Sequence, residues 1–184
     1  DGAVTEKCDL LVLLVSESFV PGSDALSDLV TQALKAKDFE AKPGKHLQMY
    51  QPQGVAARRL VLAGIGHGDA RSVRQAMASI AAAFKQATVK RAVVCFASSA
   101  AASAVAAAVQ GAAQASYVYT TTKPKAEART LARVVIGVAD VNAVIDAFTH
   151  STAVVAGVEY AREWGNRPAN HATPSLLAGA AKAL

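Results

Sequence analysis

The sequence predicts an α/β fold in which a mixed sheet is covered by helices on both faces, giving three layers. Short runs of β-branched and leucine residues alternate with longer segments rich in alanine and leucine, a pattern typical of strands covered by helices. The runs are almost continuously apolar, as expected of strands that are buried on both faces. Apolar residues make up 52% of the 184 residues and charged residues only 18%, which predicts a well-buried core and excludes global disorder.

The first strand is expected at Asp9–Ser16, which is a nearly unbroken apolar run. After a turn at Pro21 and Gly22, Asp24 can cap a helix. Apolar residues with helical spacing lie on one face of that helix, namely Leu26, Leu29, Val30 and Leu34. The segment His46–Tyr50 then predicts an amphipathic strand.

A second buried strand is expected at Arg59–Ile65, leading into the glycine-rich turn Gly64–Gly68. Ser72 and Gln75 have the spacing of a capping box, which places the start of the next helix there. The buried face of this helix is expected to carry Val73, Met77, Ile80 and Phe84.

Two further strands are expected at Arg91–Ala97 and Arg133–Val138. Between them, an alanine-rich segment from Ser98 to about Ser116 predicts a helix. Only Val105 and Val109 give this helix bulk toward a core, so we expect it to pack closely through small side chains.

The C-terminal part predicts two more helices. Apolar spacing from Val141 indicates a long connecting helix that runs to Trp164 and ends at Gly165. Farther along, Thr173 can serve as an N-cap and Pro174 fits the first helical position. The apolar residues of this last helix are Leu176, Leu177, Ala180 and Leu184. Nothing that follows can cover them.

The chain is therefore expected to hold one complete domain and the beginning of another. Residues 1–140 form the N-terminal α/β domain, and residues 141–165 form the connecting helix. Residues 166–184 form the first segment of a second domain whose remainder is missing.

A cytoplasmic protein without a membrane span is expected. No apolar run approaches the roughly 20 residues that a bilayer crossing needs, and no secretory signal follows Asp1. The cysteines, Cys8 and Cys95, are too few for a disulfide framework, so we expect free, buried thiols.

The net charge of +5 is unevenly distributed, because no acidic residue lies between Asp69 and Glu127. The basic residues in that interval are Arg71, Arg74, Lys85, Lys90, Arg91, Lys123 and Lys125. Such asymmetry can attract a polyanion such as DNA. The alternative is a set of solvated surface cations, since they form no dense basic block with interleaved aromatic residues.

The turn formed by Gly64, Gly66, His67 and Gly68 lies between a strand and a helix, where backbone amides can hold a phosphate. It suggests a nucleotide or ADP-ribose site as an alternative function. The pattern departs from the dinucleotide fingerprint GxGxxG, because Asp69 occupies the third glycine position. We therefore expect the glycines to serve a tight turn, with no cofactor bound.

No catalytic residue and no metal site is predicted. His67 beside Asp69 could form a proton-transfer pair, but no nucleophile with an activating motif accompanies it. The other histidines are scattered without the spacing of metal ligands, at His46, His150 and His171.

Two motifs carry a resemblance to a known family. The pattern N-x-P-x-N-x-x-T-P-x-x-L is formed by Asn166, Pro168, Asn170, Thr173, Pro174 and Leu177. It resembles the start of the catalytic domain in the cytosol (leucyl) aminopeptidase family, which are two-metal exopeptidases. The segment Arg59–Gly68 resembles the R-x-L-x-x-G-x-G strand and turn of the same family.

The resemblance implies a non-catalytic N-terminal domain with a macro-domain-like fold, whose partners are its own catalytic domain and the sister subunits of a homohexamer. In the family, two divalent ions, zinc or manganese, are held in segments of the types VGKG, FDSGG and NTDAEGR, which do not occur here. We therefore expect this segment alone to be catalytically silent. Some relatives also bind DNA through their N-terminal domains, which leaves a DNA-contacting role as a further alternative.

Overall fold

A computed structural model describes residues 2–183, which form a mixed sheet and its covering helices. The strands are β1 (Leu10–Val15), β2 (His46–Tyr50), β3 (Arg59–Gly64), β4 (Arg91–Phe96) and β5 (Arg133–Gly137). The helices are α1 (Gly2–Thr5), α2 (Ala25–Ala36), α3 (Ala70–Ser79), α4 (Ala81–Phe84), α5 (Ala102–Ser116), α6 (Ile145–Gly165) and α7 (Pro174–Lys182), with a 3-10 turn at Ala169–His171. The predicted α/β class is confirmed.

The sheet has the strand order β2-β3-β1-β4-β5. Strand β2 is antiparallel to β3, and all other neighbours are parallel. Alternate residues of the central strand β1 point into two cores, one on each face. The core that contains α3, α4 and α5 receives Leu10, Val12 and Leu14. The core that contains α2 receives Leu11, Leu13 and Val15.

Helix α2 begins where the sequence predicts. The N–H of Ser27 donates to the carboxylate of Asp24 at 2.8 Å, and Lys37 ends the helix in the left-handed conformation with φ 62°. Leu26 and Val30 are buried, while Leu29 and Leu34 pack partly buried against the same core.

The predicted capping box at the start of α3 is wrong. Asp69 is the N-cap, and its Oδ1 accepts from the N–H groups of Arg71 at 2.8 Å and Ser72 at 3.0 Å. Gln75 instead donates its side-chain amide to the carbonyl of Pro43 at 3.4 Å. A charged carboxylate also interacts favourably with the positive end of the helix dipole, which explains why Asp69 caps the helix in preference to the nearby serine.

The predicted buried face of this region is confirmed, since Val73, Met77, Ile80 and Phe84 are each at most 3% exposed. The helix is interrupted at Ile80, so that Phe84 belongs to the short helix α4.

Helix α5 packs against α3 through small side chains, as its alanine-rich sequence predicts. A Cβ atom added at Gly111 would lie only 2.6 Å from the Cβ of Met77. Ala104, Ala108 and Ala112 are buried in the same core. The two helix backbones therefore approach at a distance that a larger residue at Gly111 would prevent.

Helix α6 starts later than predicted. Val141 lies in a turn, where Asp140 accepts from the N–H groups of Asn142 at 2.9 Å and Ala143 at 3.3 Å, and the helix begins at Ile145. The turn replaces the first helical hydrogen bonds, because an aspartate side chain competes for nearby amides.

Helix α7 begins as predicted, with Thr173 as the N-cap and Pro174 as the first helical residue. The N–H of Leu176 donates to the Thr173 hydroxyl at 3.4 Å. The last residue of the predicted apolar stripe, Leu184, lies outside the described residues.

The Gly111→Ala substitution is expected to lower the free energy of unfolding by about 1–3 kcal/mol, because the new methyl group overlaps Met77. The matched control is Gly157→Ala in α6, where an added Cβ meets nothing within 4 Å. This control is expected to raise the free energy of unfolding by about 0.5–1 kcal/mol through helix propensity. Urea unfolding followed by circular dichroism measures both, and a Gly111→Ala protein as stable as the wild type would contradict the close helix contact.

Candidate functional site

The turn Gly64–Gly68 connects β3 to α3 at the edge of the sheet where the parallel strands end. Several of its backbone N–H groups donate within the protein. The N–H of Gly66 donates to the carbonyl of Ala41, and the N–H of Gly68 donates to the carbonyl of Ile65, both at 2.8 Å. These amides are therefore engaged before any ligand arrives.

The glycines of this turn allow a neighbouring segment to cross it. A Cβ atom at Gly64 would lie 2.3 Å from the carbonyl oxygen of Lys42, and one at Gly66 would lie 3.0 Å from the ring of Pro43. Gly66 and Gly68 also have positive φ angles of 53° and 79°, which favour glycine. Close approach and backbone conformation together explain these residues.

The carboxylate of Asp69 already occupies the N-terminus of α3. Hydrogen bonds from the Ser72 hydroxyl and from the N–H groups of Ser72 and Arg71 hold the pKa of Asp69 below its usual range, so its carboxylate is charged at neutral pH. His67 is exposed beside it. The structure thus brings the four predicted turn residues together. A phosphate bound there would be repelled by the negative charge of Asp69. Nucleotide binding at the turn stays a prediction that this geometry does not favour.

The other candidate groups for chemistry lie apart. Within residues 2–183, no three His, Cys, Asp or Glu side chains gather in an arrangement that could hold a metal ion. His46 lies on β2, whereas His150 lies on α6. Cys8 and Cys95 are free and buried, as predicted. Burial raises the pKa of both thiols to about 11, so neither is a thiolate at neutral pH.

An alignment of arginines at one edge of the sheet was missed by the sequence reasoning. Arg59, Arg91 and Arg133 are the first residues of β3, β4 and β5. Because these strands are parallel, the three lie along the same edge, and Arg91 is the direct neighbour of Arg133 in the register. We call these three residues the basic edge. Comparing the first positions of the predicted strands would have revealed it.

Four of the basic residues in the acid-free interval lie near opposite ends of the sheet. Lys90 and Arg91 lie at the basic edge, where β4 begins. Arg71 and Arg74 lie in α3, which follows the opposite end of β3. These residues therefore form no single cluster, and Arg59 and Arg133 join Lys90 and Arg91 at the basic edge.

Apolar side chains on the last two helices are uncovered by the described part of the chain. Leu176 and Leu177 on α7 are 50% and 43% exposed, and Val158 on α6 is 42% exposed. The spacing of α7 predicted such a stripe. Among the helices of residues 2–183, none has both the length and the apolar character required to cross a bilayer.

Sequence comparison connects these observations to known proteins. Residues 16–126, more than half of the chain, match the model described as "Cytosol aminopeptidase family, N-terminal domain". A "Probable cytosol aminopeptidase" of Verminephrobacter eiseniae is 58% identical over 182 residues, covering 99% of this chain and 35% of that protein. A protein of the same description from Albidiferax ferrireducens is 50% identical over 184 residues, covering 100% of this chain and 38% of that protein.

Solved structures show the same fold. A mutant of tomato leucine aminopeptidase superimposes with a TM-score of 0.72 at 24% identity, covering 96% of this chain and 39% of that one. The bottromycin maturation enzyme BotP superimposes with a TM-score of 0.66 at 21% identity, covering 94% and 36%.

The sequence matches cover nearly all of this chain but only part of each relative. It spans between 35 and 38% of the length of the two relatives named above, and the family model that it matches is that of the N-terminal domain. The resemblance inferred from the two sequence motifs is confirmed. The chain belongs to the cytosol aminopeptidase family and carries the N-terminal domain of that family.

Proposed function

We propose that this chain is the non-catalytic N-terminal part of a metal-dependent leucyl aminopeptidase, which releases N-terminal amino acids from peptides. The observation that carries the proposal is the pattern of coverage. The relatives match 99 to 100% of this chain but only 35 to 38% of their own length. The remaining length would supply the catalytic domain with two divalent ions, manganese or zinc, and their ligands. Because the relatives are described as cytosol aminopeptidases, we propose a cytoplasmic location.

The role proposed for this chain is assembly. Helix α7 is capped by Thr173, yet its residues Leu176 and Leu177 are about half exposed. Full burial of one such side chain contributes roughly 1.5–3 kcal/mol, so contact with another part of the protein would stabilise the helix. The partners proposed are the catalytic domain of the same protein and the sister subunits of a homohexamer.

A second candidate function is DNA contact, which the basic edge favours. Lys90 and Arg133 are exposed there, while Arg91 is paired with Glu6. Exposed cations along one edge can follow a phosphate backbone without reading its sequence. This role is compatible with assembly, because the basic edge and α7 are different surfaces.

The proposed activity predicts a difference between two proteins. The full-length protein is expected to release leucine from a leucyl anilide, and a chelator is expected to abolish that release because both ions are lost. The 184-residue chain under the same conditions is expected to release none. With a leucyl nitroanilide as the substrate, the absorbance of the freed nitroaniline reports both. Metal-dependent hydrolysis by the shorter chain, or an inactive metal-loaded full-length protein, would refute the proposal.

The assembly role predicts that the cost of altering α7 depends on chain length. The double substitution Leu176→Gln and Leu177→Gln is expected to change the stability of the 184-residue chain by less than about 0.5 kcal/mol, because both side chains are exposed. In the full-length protein, the loss is expected to be about 2–5 kcal/mol because the leucines are buried there. Val20→Gln, at a residue that is 79% exposed, is the control in both proteins. Equal effects in the two proteins would contradict burial of α7.

The basic edge predicts salt-dependent binding of duplex DNA. Fluorescence anisotropy with a labelled duplex is expected to show affinity that falls steeply with added salt, through release of counterions. Lys90→Ala and Arg133→Ala are each expected to reduce the slope of log K against log salt by about 1. Lys35→Ala, in the last turn of α2, is the matched control and should leave the slope unchanged. Absence of binding at low salt would exclude this role.

A further inference from the structure

A surface cavity of about 260 Å³, open to solvent on one side, lies between α5, β5 and α6. Its apolar lining consists of Val109, Leu131, Val134, Ile136, Phe148 and Val155. An engineered apolar cavity of about 150 Å³ accepts benzene, so this cavity has room for a branched aliphatic or small aromatic side chain. Sequence reasoning missed it, because the void depends on the gap between three elements.

The small side chains of α5 create this space. Ala112 and Ala113 line the cavity where α6 passes α5. A second cavity of about 60 Å³ adjoins it and shares Ala113, Val155 and Glu159 in its lining. Together the two form a continuous, largely apolar depression that opens to solvent, and concave apolar surfaces with a few polar groups are where small ligands bind.

Two opposite charges stand at the edge of the cavity. The guanidinium of Arg129 is paired with the carboxylate of Glu159, and their side chains are 34% and 31% exposed. Arg129 also donates its Nε–H to the carbonyl of Ser116 at 3.1 Å. Thr152, which lines the same cavity, donates its hydroxyl to the carbonyl of Thr149 at 2.8 Å and can still accept a hydrogen bond.

The remaining charges near the site are cationic. Arg133 lines the cavity, and Arg162 lines the adjoining cavity with Glu159. Arg162 also stacks on the ring of Tyr117 at 4.0 Å. One carboxylate thus stands among three guanidinium groups, which favours a ligand that brings a second carboxylate.

We infer that this cavity binds a free apolar α-amino acid. Its carboxylate pairs with Arg129, its ammonium pairs with Glu159 and the Thr152 hydroxyl, and its side chain fills the apolar space. The existing ion pair is exchanged for two ion pairs with the zwitterion, so both protein charges keep a partner. A simple carboxylate would bring no cation to replace Arg129 beside Glu159, and a simple amine would bring no anion to replace Glu159 beside Arg129.

Binding depends only on the cavity and its charges. A regulatory meaning rests on the proposed function, because free amino acids are what an aminopeptidase releases. The site would then let the product act on the N-terminal domain. The experiment measures binding without activity, so its failure and the failure of the peptidase assay are separate results.

The test is a titration of the isotope-labelled 184-residue chain with L-leucine, followed by the methyl NMR signals of Val109, Ile136 and Val155. These signals are expected to shift, while those of Leu62 in the core on the other face of the sheet should not. 4-Methylpentanoate, which lacks the ammonium group, and 3-methylbutylamine, which lacks the carboxylate, are each expected to bind about tenfold more weakly. Unmoved cavity signals, or equal affinity for leucine and 4-methylpentanoate, would overturn the inference.

Variants test the individual contacts. Arg129→Gln and Glu159→Gln are each expected to weaken leucine binding about tenfold, and Ala113→Leu is expected to abolish it by filling the space. Arg74→Gln in α3 is the matched control and should bind like the wild type. Unchanged affinity in all three site variants would refute the site. If a charge variant fails to fold, the ligand series on the wild-type chain still decides the matter.

Discussion

Burial of β1 on both faces is the constraint on which the rest of the structure depends. The strand carries no polar side chain, and none of its residues is more than 5% exposed. It lies between β3 and β4, so each face needs its own layer of helices. Asp9 fixes the start of the strand, because its carboxylate accepts from the N–H groups of Lys90 and Arg91 at 3.0 Å. A shift by one residue would exchange the side chains of the two cores.

Close approach of backbones is the second constraint, and it has opposite effects at two places. At Gly64 the crossing segment at Lys42 fills the space above the turn. The motif that resembles a phosphate loop therefore packs against its own chain and serves the fold. At Gly111 the lack of a side chain lets α5 approach α3. On the side of α5 toward α6, the same small side chains leave a cavity of about 260 Å³. The composition of α5 therefore explains both its packing and the space beside it.

The strands and most helices could be predicted because burial leaves a direct pattern in the sequence. The segment His46–Tyr50 was predicted with its observed bounds. The start of α3 was predicted at Ser72 and not at Asp69, because both residue types are good caps and only the fold determines which one starts the helix. Ile145 is 44% exposed at the start of α6, which the sequence could not predict, since periodicity identifies a face without showing what covers it. The basic edge and the cavity arise from alignment between elements that are distant in the sequence.

The C-terminal half of α6 packs against α5 through Val155 and Val158, and it also makes polar contacts with the loop after α5. Glu159 pairs with Arg129, Glu163 accepts from the Thr121 hydroxyl, and Arg162 stacks on Tyr117. Partly exposed ion pairs contribute about 0–1 kcal/mol each, which is less than the burial of a large apolar side chain. These ion pairs therefore add little to the packing of α6 on α5, and beyond Gly165 the chain continues to α7. A ligand that replaces the Arg129–Glu159 ion pair would change a contact of α6. This helix leads from the sheet domain to α7.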